Sequence, residues 1–157
     1  MEDLNIAIVS VREKPEIAET AIDYISSKWT DDEGKELYRD CIGHTANAEG
    51  ALPEWFLAVK GEKIVGCAGV IPNDFVSRMD LMPYLCALFV EEDERNKGIG
   101  RMLISRARAY AGAAGFRYIY LCTDHVGYYE RYGGEFIAMG VHPWKEKSRI
   151  YRLEAYI

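Results

Sequence analysis

The chain has 157 residues, 49% of them hydrophobic, and a formal net charge of −6, which suits one globular domain with a real core. That charge argues against general nucleic-acid binding, which needs an excess of Lys and Arg to displace counterions. No segment has the ~20-residue apolar length of a membrane span, and the acidic start MEDLNIAIVSV lacks the basic and apolar regions of a secretory signal.

Leu4–Val11 alternates as a strand. Pro15 suits a first helical turn, and Ile17, Ala21, Ile22, Ile25 and Trp29 then recur at helical spacing. Thr30-Asp31-Asp32-Glu33 has the form of a capping box, opening a helix with Leu37, Tyr38, Cys41, Ile42 and Thr45 on one face. The polar stretch 44–50 reads as a loop. Glu54–Lys60 and Lys63–Ile71 read as strands joined by Gly61-Glu62, and Pro72-Asn73-Asp74 ends the second.

Leu81–Val90 is a nearly continuous apolar run, the pattern of a strand covered on both faces. After the polar turn come Ile99, Leu103, Ala107, Tyr110 and Ala114 on one helical stripe, stopped by Gly115. Arg117–Cys122 is strand-like, Val126–Tyr132 a short helix, and Glu135–Val141 with Arg149–Ile157 a closing hairpin. With no repeat or linker, one domain over 1–157 is expected. Four scattered cysteines (41, 67, 86 and 122) show no CxxC spacing. They read as small buried residues of a reducing compartment, so a cytoplasmic protein without metal is expected.

The segment from Leu85 to Ala114 carries the chemistry. A strand ending at Val90 and a helix opening near Gly98 leave orphan N–H donors at a helix N-terminus, where the dipole adds partial positive charge. Gly98 and Gly100 let backbone approach a ligand, and Arg95, Lys97 and Arg101 bring cations to the same turn. The construction suits a pyrophosphate. It is not a Walker loop, because Gly100 is followed by Arg101-Met102, and not a dinucleotide fingerprint, because Leu103 stands where a third glycine belongs.

The R-x-x-G-x-G pattern of Arg95–Gly100 resembles the acyl-CoA loop of the GNAT superfamily of N-acetyltransferases. Downstream, Tyr129-Glu130-Arg131-Tyr132-Gly133 is similar to that family's Y-E-K-L-G motif, in the right order and at the right distance. The resemblance implies an α/β (α+β) fold, a mixed sheet of about seven strands flanked by four helices, with a splayed central parallel pair. It implies acetyl-CoA as acyl donor, CoA as product, and transfer to a primary amine by direct attack in a ternary complex. Backbone groups of Leu88, Phe89 and Val90 would pair with the pantetheine. Arg95, Asn96, Lys97, Gly98, Ile99, Gly100 and Arg101 would hold the pyrophosphate. Tyr129 would be the general acid for the leaving thiolate.

The acceptor stays open among polyamine, amino acid, antibiotic amine, and protein N-terminus or lysine, so the partner is a small-molecule or peptide amine, with no nucleic acid and no membrane. Dimers are common in the family, which leaves room for a homodimer. The central strand offers no Glu or His as base. Glu54, Asp74, Asp80, His44 and His125 are the titratable candidates on flanking elements, His125 the best placed. Desolvation alone lowers an amine pKa, so a dedicated base is not obligatory. Two other classes compete: a GNAT-like domain that binds CoA without turnover, and an interaction domain whose strand edge captures peptide. The compact Thr123–Gly127 connection and Gly133-Gly134 in place of Gly-Phe depart from the family pattern.

Overall fold

The structure is a computed structural model describing residues 5–156. Seven strands form one mixed sheet in the order β1-β2-β3-β4-β5-β7-β6. They are β1 Ile6–Ser10, β2 Glu54–Lys60, β3 Lys63–Ile71, β4 Tyr84–Val90, β5 Tyr118–Thr123, β6 Glu135–Val141 and β7 Lys147–Glu154. Three α-helices accompany them: α1 Ala18–Trp29, α2 Lys35–Gly43 and α3 Ile99–Ala113. The expected fourth helix is instead a 3-10 turn, Tyr129–Tyr132, closed by Gly133 in the left-handed region at φ 85°. Four residues between a loop and a left-handed glycine leave no room for an α-helical ladder. The expected strand ends at Leu4 and Ile157 lie outside the described residues.

The chain falls into two compact units, each built from two segments. The first comprises Met1–Gly69 and Ala87–Ile104. Here β1 runs antiparallel to β2, from Ile6↔Lys60 to Ser10↔Phe56. Ala21, Ile22 and Ile25 of α1 and Ile42 of α2 are buried, as helical spacing predicts. The capping box is not formed. Thr30 ends α1, the Gly34 N–H donates to Asp31 Oδ1 at 3.0 Å, and α2 starts only at Lys35. A side chain at Gly34 would collide with Thr30, so this turn requires glycine.

The second unit comprises Val70–Cys86 and Ser105–Ile157. β5 pairs antiparallel with β7, from Tyr118↔Glu154 to Thr123↔Arg149, and β7 with β6. The β6–β7 register shifts between Phe136 and Ala138, so a bulge follows the two glycines. β4 and β5 are parallel through Tyr84↔Tyr120, and the next residues in line, Cys86 and Cys122, are outside that ladder. The strands therefore begin to diverge just beyond their pairing.

Candidate active site

In the first unit the site is a turn. The Glu91 N–H donates to Val65 O at 2.8 Å, which turns the Glu91 and Phe89 backbone groups toward β3. By alternation, Leu88 and Val90 present theirs to the opposite edge. That divides the three residues expected to meet a pantetheine: Leu88 and Val90 have backbone groups facing outward, and Phe89 does not. Val90 O already accepts Arg95 Nε at 2.9 Å. Ala87 begins this stretch with φ 52° and its carbonyl faces the Cys67 thiol at 3.2 Å. A left-handed alanine costs about 1–2 kcal/mol, and it re-aims the strand just where the candidate residues start.

Leu88, Phe89 and Val90 are all half-buried, unlike the residues of β3 from Val65 to Ile71, which are all inside. The expectation of a strand covered on both faces thus fails for the second half of β4. Apolar side chains at the outgoing end of a central strand are left partly uncovered by the protein itself.

The turn itself runs Glu92–Glu94 as a 3-10 turn, Asn96 at φ 64°, Gly98 at φ 86°, then α3 from Ile99. An ideal Cβ at Gly98 would meet nothing within 4 Å, so the space in front of the turn is open. The Met102 N–H donates to Gly98 O at 3.0 Å, so the Ile99 and Gly100 N–H groups precede the helical ladder. The cations are less available than the sequence implies. Lys97 Nζ is held 3.2 Å from Glu94 Oε2, and Lys60 Nζ 3.2 Å from Glu94 Oε1. Arg95 lies exposed over the Phe89 ring, 5.6 Å from its centroid. Arg101 is exposed at the helix start.

Sequence reading missed Glu94 as a buried anchor and Glu91 as a hub. Glu91 accepts the Tyr24 hydroxyl at 2.6 Å and pairs with Lys28 at 2.9 Å, and Lys28 lies 5.0 Å from the centroid of the Phe89 ring. Those bonds hold the Glu91 carboxyl below its usual range, and burial, then the bond to Glu91, raises the Tyr24 phenol above its own. The i, i+4 spacing of Tyr24 and Lys28 was the available signal; their shared partner, 67 and 63 residues on, was not.

In the second unit the site is Tyr129. Its ring is 9% exposed, edge-on to Tyr128 at 4.8 Å and 6.3 Å from the buried Tyr151. Among the described residues its hydroxyl has no hydrogen-bond partner. Burial, then the neighbouring Tyr128 and Tyr132 phenols, push its pKa above the ordinary value. Its carbonyl accepts the Gly134 N–H at 2.9 Å, and a Cβ on Gly134 would stand 2.6 Å from that oxygen. The second glycine thus fits where a side chain would not. Glu130 Oε2 accepts the Gly127 N–H at 2.7 Å and ties the connection from β5 to the turn.

The base candidates separate sharply. Glu54 is buried and satisfied by the Ser10 hydroxyl (2.6 Å) and the N–H groups of Trp55 (2.9 Å) and Arg12 (3.3 Å). Asp80 is held by Arg78 at 2.8 Å. His44 caps its own helix through Asp40 O, and His125 is an exposed loop residue with its ring 5.9 Å from Tyr128. Asp74 alone of the five is half-buried with no hydrogen bond or ion pair on its carboxylate among the described residues. The four cysteines are free thiols, burial pushes Cys67 and Cys122 up to about 12, and no metal-holding group occurs among the described residues.

The family profile for "Acetyltransferase (GNAT) family" matches residues 15–134. The chain belongs to the GNAT acetyltransferase family. Among solved structures, its fold is similar to a GNAT acetyltransferase from Desulfovibrio desulfuricans, 18% identical, covering 96% of this chain and 99% of that one at TM-score 0.70. An aminoglycoside 6'-N-acetyltransferase complexed with coenzyme A is 18% identical over 97% of both chains, TM-score 0.68. A GNAT acetyltransferase from Elizabethkingia anophelis with acetyl-CoA bound is 18% identical, covering 98% of this chain and 99% of that one, TM-score 0.65. A search of curated proteins returned no match. Within this GNAT chain, the Asn96–Gly100 backbone would suit a phosphate group: it has two left-handed residues, open space at Gly98 and N–H groups ahead of the helical ladder. No helix among the described residues is long and apolar enough to cross a membrane.

Proposed function

We propose that the protein, acting as one domain over 1–157, is an acetyl-CoA-dependent N-acyltransferase that transfers an acetyl group to a primary amine in a ternary complex. The observation that carries this reading is the left-handed Asn96–Gly98 turn opening onto α3 in a chain of this family. Bound acetyl-CoA supplies the thioester and its thiolate leaving group. The N–H groups of Lys97 to Arg101 bind and orient its pyrophosphate, with Arg95 adding charge at the rim. Backbone groups of Leu88 and Val90 align the pantetheine, and an N–H from this stretch stabilises charge on the thioester oxygen as it builds.

Tyr129 protonates the thiolate. An ordinary phenol near ~10 against a thiol near ~8.5 makes this step uphill by about 2 kcal/mol. Burial raises the Tyr129 phenol, and a thiolate in the same dry surroundings rises with it, so the gap changes less than either value. The hydroxyl supports the assignment: it is not engaged by the protein among the described residues and is not sealed from solvent, so it is ready to bond an acceptor. The cofactor-bound neighbours support acetyl-CoA as donor. The aminoglycoside acetyltransferase supports a small-molecule amine as acceptor.

Calorimetry with CoA tests the reading. Micromolar affinity, about 8 kcal/mol, is expected without added metal. Hundredfold excess over that Kd should stabilise the fold by about 2.7 kcal/mol, roughly 5–10 °C in Tm for a chain of this length. No heat and no thermal shift at millimolar CoA would overturn it.

A further inference from the structure

In the second unit, cross-strand partners sort the sheet into two faces, because residues directly opposite point the same way. Leu121, Tyr151 and Phe136 share one face; Cys122, Ile150 and Ala138 share the other. Tyr129 belongs with Tyr151 on the first. The loop after β3 covers the second. A side chain at Gly140 would run into Val76 and Ile150, which seats Val76 on that face.

The loop is pinned at several points. Asn73 clasps Val76 in both directions at 2.9 Å, the Ser77 N–H donates to Val141 O at 2.9 Å, and Phe75 O accepts His142 Nδ1 at 2.7 Å. His142 Nε2 is bonded to the Ser148 hydroxyl at 2.7 Å, so the buried imidazole is fixed at both nitrogens. Between these anchors the Asp74 carboxylate lies within electrostatic reach of His142, the Cys122 thiol of β5 and the Tyr84 phenol of β4. Tyr84 spends its own hydroxyl on Arg78 O at 2.9 Å, leaving it nothing to donate to Asp74. Asp74, two residues before Val76, therefore belongs to the loop that covers the face shared by Ile150 and Cys122, opposite Tyr129.

We propose that Asp74 is the acceptor-side base: it receives a primary ammonium whose aromatic or apolar body rests on Phe75 and Trp144, and takes one proton from it. Phe75 is 49% and Trp144 56% exposed, and Trp144 lies flat on the His142 ring at 4.6 Å, the same ring that is bonded to the Phe75 carbonyl one residue past Asp74. The freed nitrogen lone pair forms the C–N bond to the thioester carbonyl carbon. The C–S bond breaks and its electron pair leaves on sulfur, which takes the Tyr129 hydroxyl proton. The nitrogen's second proton passes to water as Tyr129 is reprotonated from solvent, so one proton is released per amide formed. Nucleophile and leaving group occupy different bonds of one carbon, which is why donor and acceptor side chains on opposite faces suit the reaction. Burial raises the Asp74 pKa against the lowering influence of His142, and a more basic carboxylate narrows the gap to an ammonium.

This inference rests on the N-acyltransferase reading. The test follows thiol release from acetyl-CoA with 2-phenylethylamine across pH 6–9 for the full chain, Asp74→Asn and Asp80→Asn, with CoA affinity measured for each. The expected result is turnover by the parent, unchanged CoA affinity in both variants, and Asp80→Asn within about twofold. Asp74→Asn should lose about 10²–10⁴ in kcat, its remaining rate climbing with the free-amine fraction as pH rises. Tight CoA binding with no release from 2-phenylethylamine, or equal pH profiles for the parent and Asp74→Asn, would overturn the inference. Absence of CoA binding in the parent would instead overturn the acyltransferase reading beneath it.

Discussion

At the residue scale, Tyr129 differs from its neighbours in one respect that chemistry uses. Its ring is packed, and its hydroxyl is neither bonded nor sealed from solvent among the described residues. Tyr129→Phe removes only that hydroxyl. Steady-state kinetics should show kcat lower by roughly ten- to a thousandfold, within the range of general-acid effects, and CoA affinity nearly level, because only the transition state uses the proton. Tyr128→Phe and Tyr132→Phe are the controls, and equal, mild effects at all three would return Tyr129 to a packing role. Gly98 allows an equally local test. Its φ of 86° strains any side chain, and the Cβ would enter open space in front of the helix. Gly98→Asp adds negative charge where phosphate would sit. CoA affinity should fall at least a hundredfold by calorimetry, against a stability loss of about 1–2 kcal/mol from the left-handed backbone.

At the element scale, β4 is two half-strands joined at a left-handed alanine. Tyr84 and Leu85 are buried, whereas Cys86 to Val90 are half-covered. The apolar run that looked uniform in sequence is thus divided by one backbone angle, and propensity gives no warning of φ 52° at an alanine. Ala87→Val places a β-branched side chain in that conformation. Urea unfolding should show a loss of about 1–3 kcal/mol, with CoA binding weakened more than at an ordinary strand position because Leu88 and Val90 lose their aim. Ala87→Gly, which tolerates the angle, should keep CoA affinity. The Tyr129–Tyr132 segment shows the same limit. Its motif was readable, but the left-handed Gly133 cuts it to a single 3-10 turn.

At the scale of the whole molecule, acid sensitivity follows from which carboxylates found partners. Hydrogen bonds from Tyr24 and Lys28 lower Glu91, and those from Lys97 and Lys60 lower Glu94, from an ordinary value of 4.5. A depressed carboxylate stabilises the fold above its unfolded pKa, and that contribution is lost as pH falls through the folded value, because the unfolded chain then binds more protons. Asp74 is raised and acts with the opposite sign. Thermal midpoints should therefore drop as pH is lowered below about 4.5, and Glu91→Gln should flatten that slope while lowering the midpoint at pH 7. A slope unchanged in Glu91→Gln would assign the acid loss to other groups.

By itself the sequence determined what is local: strand, turn and helix in order, the Arg95–Gly100 segment at a helix N-terminus, and a tyrosine motif one short turn beyond the second parallel strand. These follow from periodicity, from the conformational freedom of glycine and from residues within a few positions of one another. Only the tertiary structure decided which charges are spent. Glu54 is consumed by Ser10, 44 residues away, and Lys97 by a glutamate buried through Lys60 as well. Phe75 O, one residue past Asp74, is pinned by His142 from 67 positions on, while the Asp74 carboxylate has no hydrogen bond or ion pair among the described residues. Side-chain hydrogen bonds and desolvation act between residues that meet only after folding, and residue identity is blind to both until the strands are paired.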